Sequence, residues 1–252
     1  MKIVSILNEK GGVGKTQTTI NLAVGSSRLG HKVLVIDCDP QANASQYFKT
    51  DNKQYYLENM LLDSKLSRAY KTQYENVDII PCTKSLALSV QQIAALKNKN
   101  QLECLKDILE ELPMSYDLVI VDLLPTLNLL TTNSLYISDL TISPTTIDTE
   151  GIAGLFSTRD NIIQLSNDYS LDIDHVILFN KVQIRSKIDT GLIEDLKNAG
   201  FKSFEQVIRY QNAPMKRASL KLQPVINSVA KTNKVGNDFR ELVSEFVERV
   251  EV

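Results

Sequence analysis

The sequence predicts an α/β fold in which helices cover both faces of a mostly parallel sheet of about seven or eight strands. Short β-branched runs alternate along the chain with longer segments of helical periodicity, which is the order of βαβ units. Several runs, such as residues 118–121, are continuously apolar, as strands covered on both sides are. A glycine-rich segment at residues 11–14 lies between the first such run and the first helical segment.

The elements follow from this periodicity, beginning at the amino end. Strands are predicted at residues 3–7, 32–38, 77–81, 117–123, 140–143, 175–180 and 204–208. Helices are predicted at residues 16–29, 85–96, 100–112, 150–167, 189–199 and 236–250. In the last of these, Phe239, Leu242 and Phe246 share one apolar stripe. Its polar face is mixed and slightly acidic, which indicates a helix that packs on the core and not on a membrane.

Composition indicates an ordinary globular protein. The chain has 252 residues, 43% of them hydrophobic, and a net charge of −2, so we expect residues 1–252 to form one domain. Cys38, Cys82 and Cys104 are widely spaced, which indicates free thiols in a reducing compartment. No apolar run is long enough for a signal peptide or a spanning helix. We therefore expect a cytoplasmic protein.

The segment after the first predicted strand has the chemistry of a phosphate-binding loop. Glycines allow backbone N–H groups to approach a phosphate closely, and the next helix adds its positive amino end. Lys15 is predicted to reach the β- and γ-phosphates of ATP, and the Thr16 hydroxyl to ligate Mg²⁺. The predicted ATP-binding residues of the loop are Lys10, Gly11, Gly12, Val13, Gly14, Lys15, Thr16 and Gln17.

This loop departs from the general P-loop pattern, because Glu9 occupies its first glycine position and a second lysine, Lys10, follows. The variant resembles the deviant Walker A box of the ParA/MinD family of P-loop ATPases, and the resemblance extends over nearly the whole chain. It implies a P-loop NTPase fold and an ATP-bridged homodimer in which Lys10 reaches the partner's nucleotide. Lys15 would act on its own nucleotide. Gln17 stands where the family often has threonine.

Two predicted strands end in acidic residues. The run from Asp37 through Asp39 to Gln41 resembles the family's switch I, which implies that Asp39 positions the attacking water with support from Asp37. Asp122 ends an apolar strand and, after a P-loop, reads as a Walker B acid that holds Mg²⁺ through water. Catalytic roles are thus predicted for Lys10, Lys15 and Asp39, and metal binding for Thr16, Asp39 and Asp122.

Two further stretches resemble family motifs less closely. Residues 122–131 resemble switch II, except that Leu124 replaces a proline and Asn128 a glycine. Asn180 ends a predicted strand and is suited either to read the adenine edge or to cap the strand. The family also uses an Ile-Pro-Arg-Asn-like stretch near the base. Residues 207–211 match it loosely, which suggests Arg209 and Gln211 as base contacts.

Basic residues concentrate near the carboxyl end. Between residues 202 and 240, eight basic residues against two acidic ones leave a net charge of +6. Such a stripe is suited to neutralise DNA phosphates, although a solvated basic surface has the same composition. The predicted DNA-binding residues are Arg185, Lys187, Lys216, Arg217, Lys221, Lys231 and Lys234.

The branches of the family differ in features that a sequence reveals. The nitrogenase iron-protein branch needs cysteines after Walker B, MinD-like proteins end in a basic amphipathic helix, and large ParA proteins begin with a helix-turn-helix domain. None of these three features is found in this sequence, so the resemblance is to the small ParA/Soj type. That type implies non-specific DNA binding, a ParB-like partner, and plasmid or chromosome segregation at the nucleoid. Three alternatives stay open: positioning of a protein cargo, a membrane-bound division-site regulator, and a metabolic P-loop enzyme.

Overall fold

The computed structural model describes residues 1–96 and 100–252, and within them eight strands form one sheet. The strands are β1 (Lys2–Ile6), β2 (Val33–Cys38), β3 (Tyr70–Lys71), β4 (Val77–Ile80), β5 (Leu118–Leu123), β6 (Leu140–Thr146), β7 (Asp174–Val182) and β8 (Ile208–Arg209). Their order is β3-β4-β2-β5-β1-β6-β7-β8, and every neighbouring pair is parallel except β3 with β4. The predicted mostly parallel α/β sheet is confirmed.

Helices cover both faces of this sheet. They are α1 (Lys15–Arg28), α2 (Asn43–Tyr47), α3 (Leu57–Leu62), α4 (Leu86–Ala95), α5 (Cys104–Glu110), α6 (Leu129–Tyr136), α7 (Thr149–Tyr169), α8 (Lys187–Asn198), α9 (Asn212–Leu220), α10 (Val225–Ser228) and α11 (Lys234–Val250), with a 3₁₀ turn at Ser64–Leu66. Alternating side chains of the central strands enter different apolar cores on the two faces of the sheet. In β2, Val33 and Val35 pack with α1, α10 and α11, whereas Leu34 and Ile36 pack with α3 to α6.

The six predicted helices correspond to α1, α4, α5, α7, α8 and α11, with ends shifted by one or more residues. The prediction that the last helix packs on the core is confirmed, because Phe239, Leu242 and Phe246 are buried. α11 lies on α1, where a Cβ added to Gly25 would come within 2.3 Å of Val243. No helix in the described ranges is long and apolar enough to cross a bilayer.

The strand predicted at residues 204–208 is wrong over most of its length. Phe204 is buried, and its N–H donates to the carbonyl of Ile177. The next two N–H groups instead donate to the carboxylate of Glu245 on α11, at 2.8 and 2.9 Å. Because a side chain takes the place of a neighbouring strand, β8 begins only at Ile208. β3 is too short to carry a periodic signal, and the sequence does not predict it.

The sheet order places the functional region. β1 lies between β5 and β6, and the chain leaves β1 through α1 to reach β2 on the far side of β5. In parallel α/β sheets, ligands bind outside the carboxyl ends of the strands, where the strand order reverses. The register aligns Asp37 of β2 with Asp122 of β5 at that edge. The P-loop and both acidic motifs therefore meet at one end of the sheet.

Candidate nucleotide site and basic surface

The loop between β1 and α1 has the backbone geometry of an anion cradle. Gly12 and Gly14 have φ angles of 76° and 104°, which glycine adopts without strain. Gly14 is the N-cap of α1, so the free N–H groups of the first helical turn adjoin the loop. A Cβ at Gly14 would lie 2.3 Å from the Nδ2 atom of Asn180, so only glycine fits there.

A cavity of about 590 Å³ opens against this loop. Its lining comprises Gly11, Gly12, Gly14, Lys15, Thr16, Gln17, Asp39, Asn43, Pro125, Asn180, Lys181, Arg209, Tyr210, Gln211, Asn212, Met215, Lys216 and Ser219. The fold thus brings Asp39, the predicted base contacts and the predicted loop residues to one cavity, except that Lys10 and Val13 are not in its lining. Among these residues, four cations face a single acid, Asp39, and a cavity of this charge is suited to a polyanionic ligand.

Lys15 is buried beneath the loop. Its Nζ atom donates to the carbonyl oxygens of Asn8, at 2.9 Å, and of Lys10, at 3.2 Å. The residue is only 8% exposed, and this burial lowers the pKa of its ammonium group. An anion placed in the cavity would favour the charged form again. Lys15 is therefore held in a position that a phosphate group stabilises.

Asp122 and Asp37 form a buried carboxylate pair beside the loop. Asp122 accepts hydrogen bonds from the hydroxyl groups of Thr16, at 2.8 Å, and Thr19, at 3.1 Å. Asp37 accepts from the backbone N–H and the hydroxyl of Ser45, at 2.7 and 2.6 Å. Burial is the main cause that raises the pKa of both acids. Repulsion from Asp37 raises the pKa of Asp122 further, and repulsion from Asp39 does the same for Asp37. A cation near this pair would favour its ionised form.

The oxygen atoms at this position fit Mg²⁺. Thr16 and Asp122 are adjacent, and Mg²⁺ prefers hydroxyl, carboxylate and phosphate oxygens and keeps several of its waters. Among the described residues, no group of three or more His, Cys, Asp or Glu side chains could hold a metal by itself. A Mg²⁺ ion here would therefore share its ligands with the phosphates of a nucleotide.

Asp39 lies in the loop that follows β2 and lines the cavity. Its Oδ1 atom accepts from the N–H of Gln41 at 2.9 Å, and its carbonyl accepts from the N–H of Ala42 and the thiol of Cys82. These bonds hold the loop at the cavity edge, while the water-positioning role of Asp39 remains a prediction. Cys38, Cys82 and Cys104 are buried and form no disulfide, as predicted.

Lys10 extends away from the cavity towards α7. Its Nζ atom lies 2.5 Å from Oδ1 of Asp148 and 3.5 Å from Oε2 of Glu150. The hydrogen bond to Asp148 raises the pKa of Lys10. Partial burial raises the pKa of Asp148. Hydrogen bonds from Lys10, from Thr146 and from the N–H of Gly151 outweigh this effect and lower that pKa to about 2. The preceding residue, Glu9, accepts a hydrogen bond from Ser157 of α7 at 2.7 Å, which holds the start of the loop on this helix.

Two residues at the end of β7 brace the loop from the other side. The amide of Asn180 donates to the carbonyl of Val13 at 2.6 Å, and Nζ of Lys181 donates to the carbonyl of Gly12 at 2.7 Å. The base contact predicted for Asn180 stays a prediction, and its observed contacts are with the P-loop backbone. Sequence reasoning missed Lys181, for which the only signal was its position after Asn180.

The other two predicted base contacts, Arg209 and Gln211, line the cavity from β8 and the segment after it, and β8 lies three strands away from β1 in the sheet. Arg209 forms a bidentate ion pair with Asp238 of α11, at 2.7 and 2.6 Å. The hydrogen bond to Asp238 raises the pKa of Arg209. Among the described residues, the buried Oε1 atom of Gln211 has no hydrogen-bond partner. Gln211 therefore has a free acceptor at the cavity wall, whereas the guanidinium of Arg209 is already paired.

Two departures from the family pattern have local structural roles. The Nε2 atom of Gln17 donates to the hydroxyl of Tyr47 in α2 at 2.6 Å, which connects α1 to the element after switch I. Asn128, in place of a glycine, is the N-cap of α6 and accepts from the N–H of Thr131 at 3.0 Å. Each substitution adds a hydrogen bond that the usual residue could not form in the same way.

The seven predicted DNA-binding residues are all exposed, and none forms an ion pair with another residue in the ranges 1–96 and 100–252. Arg185 and Lys234 line a groove of about 610 Å³ beside the cavity, and Arg217 and Lys234 line a second of about 470 Å³. No acidic residue is among the described residues that line either groove. Lys216 differs from the others because it lines the nucleotide cavity.

Comparison with known proteins agrees with this geometry. The AAA domain family matches residues 1–173 of the chain. Over 233 residues, the chain is 31% identical to the sporulation initiation inhibitor protein Soj of Bacillus subtilis, covering 89% of this chain and 90% of that protein. The chain belongs to the ParA/Soj family of partition ATPases.

A second ParA/Soj family member, the chromosome partitioning protein ParA of Myxococcus xanthus, is 29% identical over 233 residues, covering 89% of this chain and 81% of that protein. The fold is shared more widely than the family. A structure of cobyrinic acid a,c-diamide synthase from Mycobacterium smegmatis, with bound ATP analogue and magnesium, has a TM-score of 0.82 at 19% identity. It covers 100% of this chain and 96% of that chain. The fold alone therefore does not distinguish a ParA/Soj protein from a synthase.

Proposed function

We propose that the chain is an ATP-driven switch for DNA segregation, formed by one P-loop ATPase domain over residues 1–252. In the ATP state two copies bind each other, and each donates Lys10 to the nucleotide of its partner. The dimer binds DNA without sequence preference. Slow hydrolysis then separates the copies and releases the DNA, and a ParB-like centromere-binding partner accelerates that step. Such a protein acts on the nucleoid in the cytoplasm.

The observation that carries this proposal is the direction of Lys10. Its ammonium group lies against Asp148, and Lys10 is not among the described residues that line the cavity next to it. Lys15 already provides a buried cation to that cavity. A lysine next to the loop that does not line the loop's own cavity is placed to act on a second nucleotide, which a partner copy would supply, once the lysine leaves Asp148.

Within the cavity, each residue has a role that its contacts support. Bound Mg²⁺ would neutralise phosphate charge and share the oxygens of Thr16 and Asp122. Lys15 and the N–H groups of the loop stabilise charge on the β- and γ-phosphates. Asp39, at the cavity edge, orients a water molecule and does not need to remove its proton early. Hydrolysis that depends on such positioning alone is slow, which suits a switch.

DNA binding by four proteins tests the proposal: the natural sequence, Lys10→Ala, Lys15→Ala and Asp39→Ala, each with ATP, with ADP and without nucleotide. We expect ATP-dependent binding for the natural sequence and persistent binding for Asp39→Ala. We expect both lysine variants to lose most of this ATP-dependent binding, although Lys10→Ala should still bind ATP. Equal DNA binding by the natural protein in all three nucleotide states would refute the switch.

A further inference from the structure

Helix α9 presents different faces to the nucleotide cavity and to a basic groove. Asn212, Met215, Lys216 and Ser219 line the cavity, and spacings of three and four residues place them on one helical face. The same cavity is lined by the predicted base contacts Arg209 and Gln211. The cavity therefore ends against a helix whose exposed cation, Lys216, the charge pattern alone would assign to DNA.

The neighbouring face of α9 lines the groove of about 470 Å³. Its groove residues are Ala213, Pro214 and Arg217, and Arg217 follows the first two by four and three residues. Lys234, the first residue of α11, lines the same groove. Ala218 is fully buried and anchors α9 on the core. Adjacent residues on one short helix, Lys216 and Arg217, thus line two different sites.

The segment just before α9 lies between the same sites. Gln211, the N-cap of α9, lines the nucleotide cavity and both basic grooves. Arg209 and Tyr210 line the cavity and the groove of about 610 Å³. The ion pair between Arg209 and Asp238 connects this wall to α11, four residues after Lys234 on the same helical face. Cavity and grooves therefore share their walls within one copy of the chain.

We propose that α9 couples the two ligands inside a single protomer, with Lys216 contacting the bound nucleotide and Arg217 contacting the DNA backbone. This inference rests on the proposed function and adds a coupling that does not require dimerisation. Lys216, which shares the cavity with the predicted base contacts Arg209 and Gln211, donates to ribose or base acceptors of the nucleotide. Nucleotide bound against one face holds the nine-residue helix in place, and Arg217 on the other face is held with it. Linkage requires that each ligand then strengthens the binding of the other.

A pair of variants that differ by one position separates the two faces. Lys216→Met and Arg217→Met each remove a charge, keep an aliphatic chain and preserve helix propensity. We expect Lys216→Met to weaken binding of a fluorescent ATP analogue about fivefold, the scale of one exposed charge interaction. Without nucleotide, Lys216→Met should change the salt dependence of DNA binding only slightly.

Arg217→Met should behave in the opposite way. We expect nucleotide affinity without DNA to stay within about twofold, and the slope of log affinity against log salt to fall by about 0.9, the loss of one phosphate contact. Equal melting temperatures would exclude a general loss of helix α9, and the more conservative Lys216→Arg should retain nucleotide affinity. The assignment is overturned if Lys216→Met changes the salt slope and leaves nucleotide affinity unchanged, or if both variants weaken nucleotide binding equally.

Coupling within one protomer is measured in the Lys10→Ala background, which should prevent the ATP-bridged dimer. We expect ADP to raise the affinity of this monomer for non-specific duplex DNA about fivefold at low salt, at the lower end of allosteric effects. Adding Lys216→Met should abolish that increase. No ADP effect on the monomer overturns the inference, even if the natural protein still shows ATP-dependent DNA binding. Loss of that ATP dependence in the natural protein overturns the proposed function itself.

Discussion

Replacing Asp148 with asparagine tests whether the protein stores Lys10 on its own surface before a dimer forms. Asp148 lies 2.5 Å from the Lys10 ammonium and is the N-cap of α7, where it accepts from the N–H of Gly151 at 2.8 Å. Asparagine is an equally good N-cap, so Asp148→Asn removes the charge and keeps the cap. The variant therefore changes the hold on Lys10 without unfolding the start of α7.

The magnitude follows from exposure. The Asp148 side chain is 49% exposed and that of Lys10 21%, so the pair is partly screened by solvent. Exposed ion pairs stabilise by about 0.2–1 kcal/mol, and the short distance places this one near the upper value. Two lysines must be released for each dimer, which amounts to about 2 kcal/mol. We expect Asp148→Asn to tighten the nucleotide-dependent dimer about 30-fold at low salt.

Sedimentation velocity with a non-hydrolysable ATP analogue would measure this change over a range of protein concentrations. Glu150→Gln is the matched control, because Glu150 lies 3.5 Å from Lys10 and is 84% exposed, so its effect should be much smaller. In a Lys10→Ala background, Asp148→Asn should have no effect. An unchanged or weaker dimer for Asp148→Asn alone would refute the storage of Lys10, and a weaker one would place the contact in the dimer itself.

Three other changes test the site and its support. Burial and an acidic neighbour raise the pKa of Asp122 to about 7. Ionisation of this carboxyl group therefore lowers the stability of the folded protein as the pH rises from about 4, its ordinary pKa, through that raised pKa. Asp122→Asn should therefore raise the melting temperature more at pH 8 than at pH 5 while removing the Mg²⁺ dependence of nucleotide binding, and an equal effect at both pH values would contradict this. Gly14→Ala should weaken ATP binding at least about tenfold, because φ is 104° and a Cβ would clash. Gly191→Ala in α8 is the control, because its Cβ meets open space outside the cavity and the same titration should give an unchanged affinity. Gly25→Ala should lower the free energy of unfolding by about 1–3 kcal/mol in urea, since its Cβ would overlap Val243, and a stabilised variant would show that α11 can shift.

Much of the site is predictable because its signals are local. A glycine loop between a strand and a helix is a contiguous pattern, and Gly12 and Gly14 do adopt the left-handed backbone that the pattern requires. Buried parallel strands read as continuous apolar runs, so the amino-acid sequence alone places Asp122 at the end of β5, beside the loop. The cavity that gathers these residues follows from the parallel order of the strands.

What the sequence could not predict depends on tertiary contacts between distant segments. Nothing near Lys10 in the chain indicates that Asp148 binds it, because the two meet only when α7 packs beside the loop. The charge pattern treats Lys216 and Arg217 alike, and only the orientation of α9 separates them. The backbone at residues 205–206 has the pattern of a strand, but the carboxylate of Glu245 replaces the neighbouring strand there.

The ion pair between Arg209 and Asp238 has a consequence for how the protein is made. The AAA domain match ends at residue 173, yet one wall of the cavity comes from residues after it, and α11 supports that wall through Asp238. A nascent chain that still lacks α11 has its phosphate-binding loop, but the cavity wall that contains Arg209 has no support from Asp238. We therefore expect a nascent chain to bind a nucleotide with full affinity only after α11 has left the ribosome.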